Sequence, residues 1–329
     1  MKLHRRQVLQ WAAGAVALHK ISPAFSQTKF PERPIRLVIP FPPGGVYDTV
    51  GRPLAEQMKP SLGTIVVENQ GGAGGSVAFA SVARSRPDGY TIILGGLPPI
   101  VITAVATSRP LYDPVKDLDP IVMVGGAGQA IAIHPALPIQ SLNEFIAYSK
   151  LHPGKLSYAT AGVGTLNHMT GELFKSLIGN TDIVHVPYRG AGPATLDLIS
   201  GHVPMGVFAV TGQLLELHKT GKLRILAITT PERIAAAPDI PTAVEAGLPG
   251  LIAQTAIGLF APAGTPKSII AQIAEATRVA IRDQAFKERL EADGIQPFTD
   301  SSPEKMRQAL AEEFARWTPI IKSIGFKLD

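Results

Sequence analysis

The chain reads as an α/β protein built from two similar lobes, and three observations lead there. Short apolar runs rich in β-branched residues alternate with helix-length segments, the β-loop-α order of a parallel sheet. That rhythm runs from Ile35 to Leu94 and restarts at Leu142, with glycine clusters just after strands in both stretches. At 329 residues the chain is long enough for two lobes, each burying its own core.

The first 26 residues stand apart from the fold. Lys2, Arg5 and Arg6 precede an apolar run from Val8 to Leu18 and a small-x-small triplet, Ala24-Phe25-Ser26. This is the layout of a secretory signal with cleavage after Ser26. His4-Arg5-Arg6-Gln7-Val8-Leu9 fits the twin-arginine route, with an ordinary Sec signal as the alternative. The run is short of the roughly 20 apolar residues that span a bilayer. Four of the five net positive charges sit in this segment, so the remainder is near neutral. The surplus of base therefore carries no argument for nucleic acid or acidic membranes.

From Arg33 the elements follow in order. Ile35–Pro40 reads as a buried strand, Phe41–Gly45 as a loop, and a helix follows with Val50, Leu54 and Met58 on one face. Asp48 sits where it would cap that helix. Strand 65–68, Gly-rich loop 70–75, helix 76–84, the turn Pro87-Asp88-Gly89 and strand 90–94 complete the first unit. Ile121–Val124 and Ala130–His134 read as two strands with a glycine-rich turn, 125–128, between them. The second unit takes helix 142–151, strand 156–159, loop 160–165 and a helix carrying Met169, Leu173 and Leu177. Strand 183–186, loop 187–192, helix 194–200, strand 205–210, helix 213–220 and strand 223–229 follow. In the tail, Thr265-Pro266 and Ser302-Pro303 each read as an N-cap followed by the first helical residue. Ile269, Ile273 and Ala276 face inward on the first tail helix. Met306, Leu310, Phe314 and Trp317 make a core stripe on the last.

Much chemistry is missing. There is no cysteine, which removes thiol nucleophiles, disulfides and thiolate metal sites. No G-x-S-x-G elbow, phosphate loop or dinucleotide fingerprint occurs. The histidines at 134, 152, 168, 185, 202 and 218 show neither H-E-x-x-H nor pairing with acids, so no metal and no cofactor are expected. No nucleophile–base pair is legible, and the chain is expected not to be an enzyme.

Glycine after strands is the chemistry present. A parallel sheet aims its strand ends and the following helix N-termini at one crevice, where backbone N–H groups favour an anion. Two crevices facing each other make a clamshell that closes by hinge motion. The candidate loops are 41–48 and 70–75 in one lobe, and 161–165 and 187–192 in the other.

The residues also carry a resemblance. Arg33-Pro34-Ile35, Pro42-Pro43-Gly44-Gly45 with Asp48, Glu68-Asn69 before Gly72–Gly75, and Pro87–Thr91 are similar to the Bug family. These are periplasmic receptors of tripartite tricarboxylate transporters. The likeness continues through Tyr158-Ala159-Thr160, Gly171–Phe174, His185–Gly190, Gly221–Arg224, Pro241-Thr242, Glu245–Gly247 and Phe260–Pro266. It implies a type II periplasmic-binding-protein fold: two α/β lobes, a hinge and an interlobe cleft. The expected lobes are 27–124 with 229–305, and 125–228, with 306–329 packing as a terminal helix. The resemblance also implies a monomer that holds a small carboxylate by main-chain amides and delivers it to the membrane subunits of a transporter. A sensory co-receptor would use the same clamshell.

Carried over position by position, Phe41, Pro42, Gly44, Gly45 and Asp48 should meet the carboxylate from one side. Ala161, Gly162, Gly164, Thr165 and His168 should meet it from the other, with the Thr165 hydroxyl as a donor. Asp48 is expected to order its loop. Pro187, Tyr188 and Arg189 lie in the last loop, Arg189 as a distal charge partner or as a structural ion pair. Val46, Tyr47 and Leu97 stand where the family often carries small polar residues, and Ala209 lies where many members carry an Asp nearby. These departures disfavour an amino group and favour an aromatic or weakly polar carboxylate, or a dicarboxylate.

Overall fold

A computed structural model of the chain describes residues 30–179 and 182–328. The expected leader, with its cleavage point, lies outside the described residues. Residues from Arg33 onward cluster as one structural unit. The first elements are β1 (Ile35–Ile39), α1 (Val46–Leu62), β2 (Ile65–Asn69), a 3-10 turn at Ala73–Gly75, α2 (Ser76–Ala83) and β3 (Thr91–Gly96). β1 lies between β2 and β3 and is parallel to both, with Ile35 opposite Ile65 and Leu37 opposite Ile92. α1 buries Val50, Leu54 and Met58 against the sheet.

Two expectations fail where the chain changes direction. Leu97–Pro99, read as a loop, starts the helix α3 (Leu97–Ala106). Its two prolines occupy the first turn, where their missing N–H groups have no intrahelical partner to lose. Nearly the whole helix is buried, so it lacks the polar face that reveals a helix by its period. The two strands expected around Gly125–Gly128 are instead one strand, β4 (Leu118–Ile133). None of Gly125, Gly126 and Gly128 adopts positive φ, so these glycines make no turn. They admit neighbours. A methyl group at Gly125 would meet Gln296 O at 2.8 Å, and one at Gly128 would meet Thr230 Cγ2 at 2.6 Å.

The length of β4 joins the two halves of the molecule. Its first half pairs antiparallel with β9 (Gln254–Pro262) and β10 (Ile295–Pro297), its second with β7 (Met205–Ala209) and β8 (Arg224–Ile228). β9, absent from the sequence reading, lies between β3 and β4 and is antiparallel to both. Beyond β7, β5 (Ser157–Thr160) and β6 (Val184–Pro187) add in parallel. The order along the curled sheet is β2-β1-β3-β9-β4-β7-β5-β6.

Helices α4 (Leu142–Leu151), α5 (Leu166–Ile178), α6 (Ala191–Ile199) and α7 (Gly212–Lys219) belong to the second half. The stretch after β8 stays with it. Ile228 bridges Thr242, and Ile234 and Ile240 pack in the core that holds Ala130 and Leu198. The chain ends in α8 (Lys267–Arg282), α9 (Gln284–Ala292) and α10 (Pro303–Ser323). Thr265 does not cap α8. Its hydroxyl donates to Pro262 O at 2.7 Å, and Pro266 holds the cap position. Ile269 is only half-buried, and Ile270 turns inward beside Ile273 and Ala276. Ser302 does cap α10, accepting the Lys305 N–H at 3.2 Å. Met306, Leu310 and Trp317 are buried against α3 and β4, with Phe314 at the margin.

Candidate functional site

A cavity of about 350 Å³ opens between the two halves. Four helices bring their N-termini to its wall: α1 through Gly44–Tyr47, α5 through Thr165–Asn167, α6 through Gly190–Gly192, and α7 through Thr211 and Gln213. The first N–H groups of a helix have no intrahelical acceptor, and the helix dipole places partial positive charge there. Among the described residues of the wall there is no Lys, Arg, His, Asp or Glu. An anion in this cavity is therefore met by backbone N–H groups and neutral polar side chains such as Asn167, Thr211 and Gln213, not by a charged side chain. Toward α6 and α7 the wall turns apolar, with Leu196, Ile199, Leu214 and Leu217 joined by Phe208.

The first loop owes its shape to Asp48. Its carboxylate accepts the Gly44 N–H at 3.3 Å, Arg52 Nε at 3.0 Å and Asn69 Nδ2 at 3.0 Å, while Asn69 Nδ2 also donates to Phe41 O at 2.9 Å. Burial disfavours the charge, but the hydrogen bonds from Arg52, Asn69 and Gly44 outweigh it and hold the carboxyl below its usual range. Asp48 thus orders the loop from behind and is absent from the cavity wall. It makes no side-chain cap at Gly45, the N-cap residue. Asp48→Asn is expected to cost about 1–2 kcal/mol of stability, measured by urea unfolding at neutral pH.

The floor is made where the crossing strands pass. Tyr47 stacks on Phe41, ring centroids 5.0 Å apart, and its hydroxyl meets Thr255 Oγ1 of β9 at 3.2 Å. Burial pushes the Tyr47 hydroxyl up to about 12, against the opposing hydrogen bond to Thr255, so it stays neutral. Gly96 makes room for it, because a methyl group there would stand 2.2 Å from the hydroxyl oxygen. Opposite, Asn167 Nδ2 of α5 donates to Gln129 Oε1 of β4 at 2.5 Å.

Of the sequence candidates, Phe41, Pro42, Gly44, Gly45, Val46, Tyr47, Ala161, Thr165 and Ala209 lie in the cavity wall. Other candidates do not. Leu97 is fully buried inside α3, and Pro99 reaches the cavity instead. Gly162 and Gly164 shape the second loop from outside the wall, at φ +133° and +80°. The Thr165 hydroxyl is committed: it donates to Gly162 O at 2.7 Å and accepts the His168 N–H at 3.3 Å, capping α5. His168 turns away and stacks on His185, centroids 3.7 Å apart. Tyr188 donates to Asp197 at 2.6 Å. Pro187 and Arg189 are exposed, and Arg189 forms no ion pair among the described residues.

No sequence pattern marked Gln129, Thr255 or the apolar face of Leu196, Ile199, Leu214 and Leu217. Thr211-Gly212 follows a strand as the other loops do, so the same logic reaches it. Gln129 and Thr255 carry no local signal, because strand register alone brings them here. The halves approach each other across the cleft at Pro42 with Gly190 and at Gly74 with Gly164, among other points. A methyl group at Gly190 would lie 3.4 Å from Pro42 Cγ, and one at Gly74 would lie 3.0 Å from the Gly164 carbonyl.

Comparison with known proteins identifies the family. Residues 50–326 match the family described as the tripartite tricarboxylate transporter family receptor. Protein BugT of Bordetella pertussis is 34% identical over 316 residues, covering 95% of this chain and 96% of BugT. Among solved structures, MatC from Rhodopseudomonas palustris with bound malate superposes with a TM-score of 0.84 at 33% identity, covering 89% of this chain and all of MatC. The R. palustris protein Rpa4515, solved with adipate, gives 0.85 at 30% identity, covering 90% of this chain and 99% of its own. The fold is the two-lobed periplasmic-binding-protein fold with its interlobe cleft. The chain belongs to the tripartite tricarboxylate transporter receptor family, the periplasmic solute-binding proteins that include the Bug proteins.

Proposed function

We propose that the chain captures a small carboxylate with a weakly polar body, a dicarboxylate or an aromatic acid, and passes it as a monomer to the membrane subunits of a tripartite transporter. The observation that carries this is the convergence of four helix N-termini on a cavity without a charged side chain. Such a site favours an anion and offers an ammonium group no counter-ion. Phe208 and Ala209, in the stretch where many family members carry an acid, both stand in the wall. The apolar surface of Leu196, Ile199 and Leu217 suits the ligand's carbon skeleton. Neighbours solved with malate and with adipate support the dicarboxylate class.

The lobes in this reading are 27–124 with 229–305, and 125–228, with 306–329 as a terminal helix; Ile234 and Ile240, which pack in the second half's core, favour moving the return crossing from 229 toward Gln254. Export follows the leader read in residues 1–26. Native mass spectrometry after gentle purification, followed by a thermal-shift panel of malate, adipate, aromatic acids and amino acids, tests the proposal. Aromatic acids or dicarboxylates should raise the melting temperature by mass action. Stabilisation by amino acids alone would overturn it.

A further inference from the structure

The chain's last residues cross the seam between the two halves. α10 is packed on α3 and β4, and past its end the Phe326 N–H donates back to Ile321 O at 3.0 Å. The Leu328 N–H then donates to Ala106 O, at the end of α3, also at 3.0 Å. Both anchors belong to the first half. The side chains reach the second. The Phe326 ring stands edge-on to His168 of α5, centroids 4.8 Å apart at 71°. Leu328 covers Gly164, where an added methyl group would lie 3.1 Å from Cδ1 and 3.3 Å from Cδ2.

These two contacts bracket Thr165, the N-cap of α5, whose neighbours Leu166 and Asn167 form the cavity wall. The loop before it has little stiffness of its own. Gly162 and Gly164 both sit at positive φ, and glycine has the most backbone freedom to lose on ordering. Gly164 is clasped on the first-half side as well, by Thr103 of α3 and by Gly74. The tail thus completes a three-sided clasp on one glycine beside the site.

We propose that Gly325–Leu328 is a strap that holds the ligand loop Ala161–Asn167 in its binding geometry, with Phe326 and Leu328 as positioning residues. Ordering the loop before the ligand arrives removes that cost from binding. Cutting the strap returns the loop to a locally opening ensemble. The effect on affinity rests on the carboxylate-receptor reading; the effect on the loop does not.

The test uses the full chain carrying Phe326→Ala, Leu328→Ala or Phe326→Tyr, and a chain ending at Gly325. Amide hydrogen exchange without ligand is read beside urea unfolding, with adipate titrated as the probe. The alanine and truncated chains should exchange the Gly164–Met169 amides about tenfold faster, with β1–β3 amides unchanged. Adipate affinity should fall about tenfold, mostly through koff, and Phe326→Tyr should restore both. Gly164→Ala combined with Leu328→Ala should be less damaging than the sum of the two, since the steric conflict is shared. Unchanged exchange at Gly164–Met169 in the truncated chain overturns the strap. A wild-type chain that binds no dicarboxylate and no aromatic acid fails the functional reading, and the exchange measurement still decides the strap.

Discussion

Val46→Pro is expected to leave the fold intact and to weaken carboxylate binding about 10–100-fold, the worth of one charge-assisted hydrogen bond. Val46 is the first residue of α1 and lies in the cavity wall. Proline is favoured at that position because its fixed φ suits a helix start and its missing N–H has no intrahelical partner. The residue before a proline must be extended, and Gly45 already is, at φ −95° and ψ 174°. The substitution therefore deletes one N–H from the anion site with little else. Val46→Ala keeps that N–H and trims the same side chain. Calorimetric titration of the two variants, with circular dichroism to verify the fold, separates backbone from side-chain recognition. Equal affinities for Val46→Pro and Val46→Ala would remove α1 from the anion clamp.

Acid should loosen the chain before its carboxylates titrate. His168 and His185 are stacked behind the second loop. Burial, aided by Lys175, pushes His168 down to about 4. Burial, then His168 and Lys175, take His185 down to about 3 against the opposing pull of Glu172. Tyr158 flanks His185 and Phe326 flanks His168, so no acid is stacked on either ring. Both imidazoles work as neutral groups. His168 Nδ1 accepts the Gly164 N–H at 3.4 Å, and His185 Nε2 shares a hydrogen bond with Thr160 Oγ1 at 2.7 Å. Protonating His168 at Nδ1 would end its role as an acceptor.

The direction of the pH effect follows from the depressed values. Free imidazole titrates near 6.5, so between there and about 4 the unfolded chain binds protons that the folded chain refuses. Stability is complete above that window and falls as pH drops through it, at up to about 1.4 kcal/mol per pH unit for one histidine. Asp48 acts with the same sign for the opposite reason: its folded carboxyl is held below its usual range by hydrogen bonds, so its stabilisation is lost as pH falls through the carboxylate range. Urea midpoints between about pH 7.5 and 5 should decline for the wild type and much less for a His168→Asn/His185→Gln variant. Parallel curves for the two chains would show that the stacked pair contributes nothing.

The two α/β units, their order and the glycine loops that start the cavity were legible because each rests on local signals. β-branched runs mark the strands, apolar spacing marks helices such as α1 and α10, and Ser302 marks a cap. These are properties of neighbouring residues, and they survive any global arrangement. They marked Phe41, Pro42, Gly44–Tyr47, Ala161 and Thr165, which stand in the cavity wall, along with the expectation of an anion held by backbone.

The remainder depended on what packs against what. Gly125–Gly128 look like a turn until Gln296 and Thr230 occupy the space beside them. Leu97–Pro99 look like a loop until α10 buries them as a helix. The Thr165 hydroxyl and the His168 ring were natural ligand contacts by position. Capping consumed the first, and stacking on His185 turned the second away. Gln129 and Thr255 face the cavity because β4 and β9 cross between the halves as paired strands, with Ala127 opposite Thr255, and register belongs to partners distant in the chain. The sequence specified a two-lobed α/β receptor and the glycine loops that line its cleft. Long-range packing chose which side chains finish that site, because a side chain's direction is set by neighbours that only folding supplies.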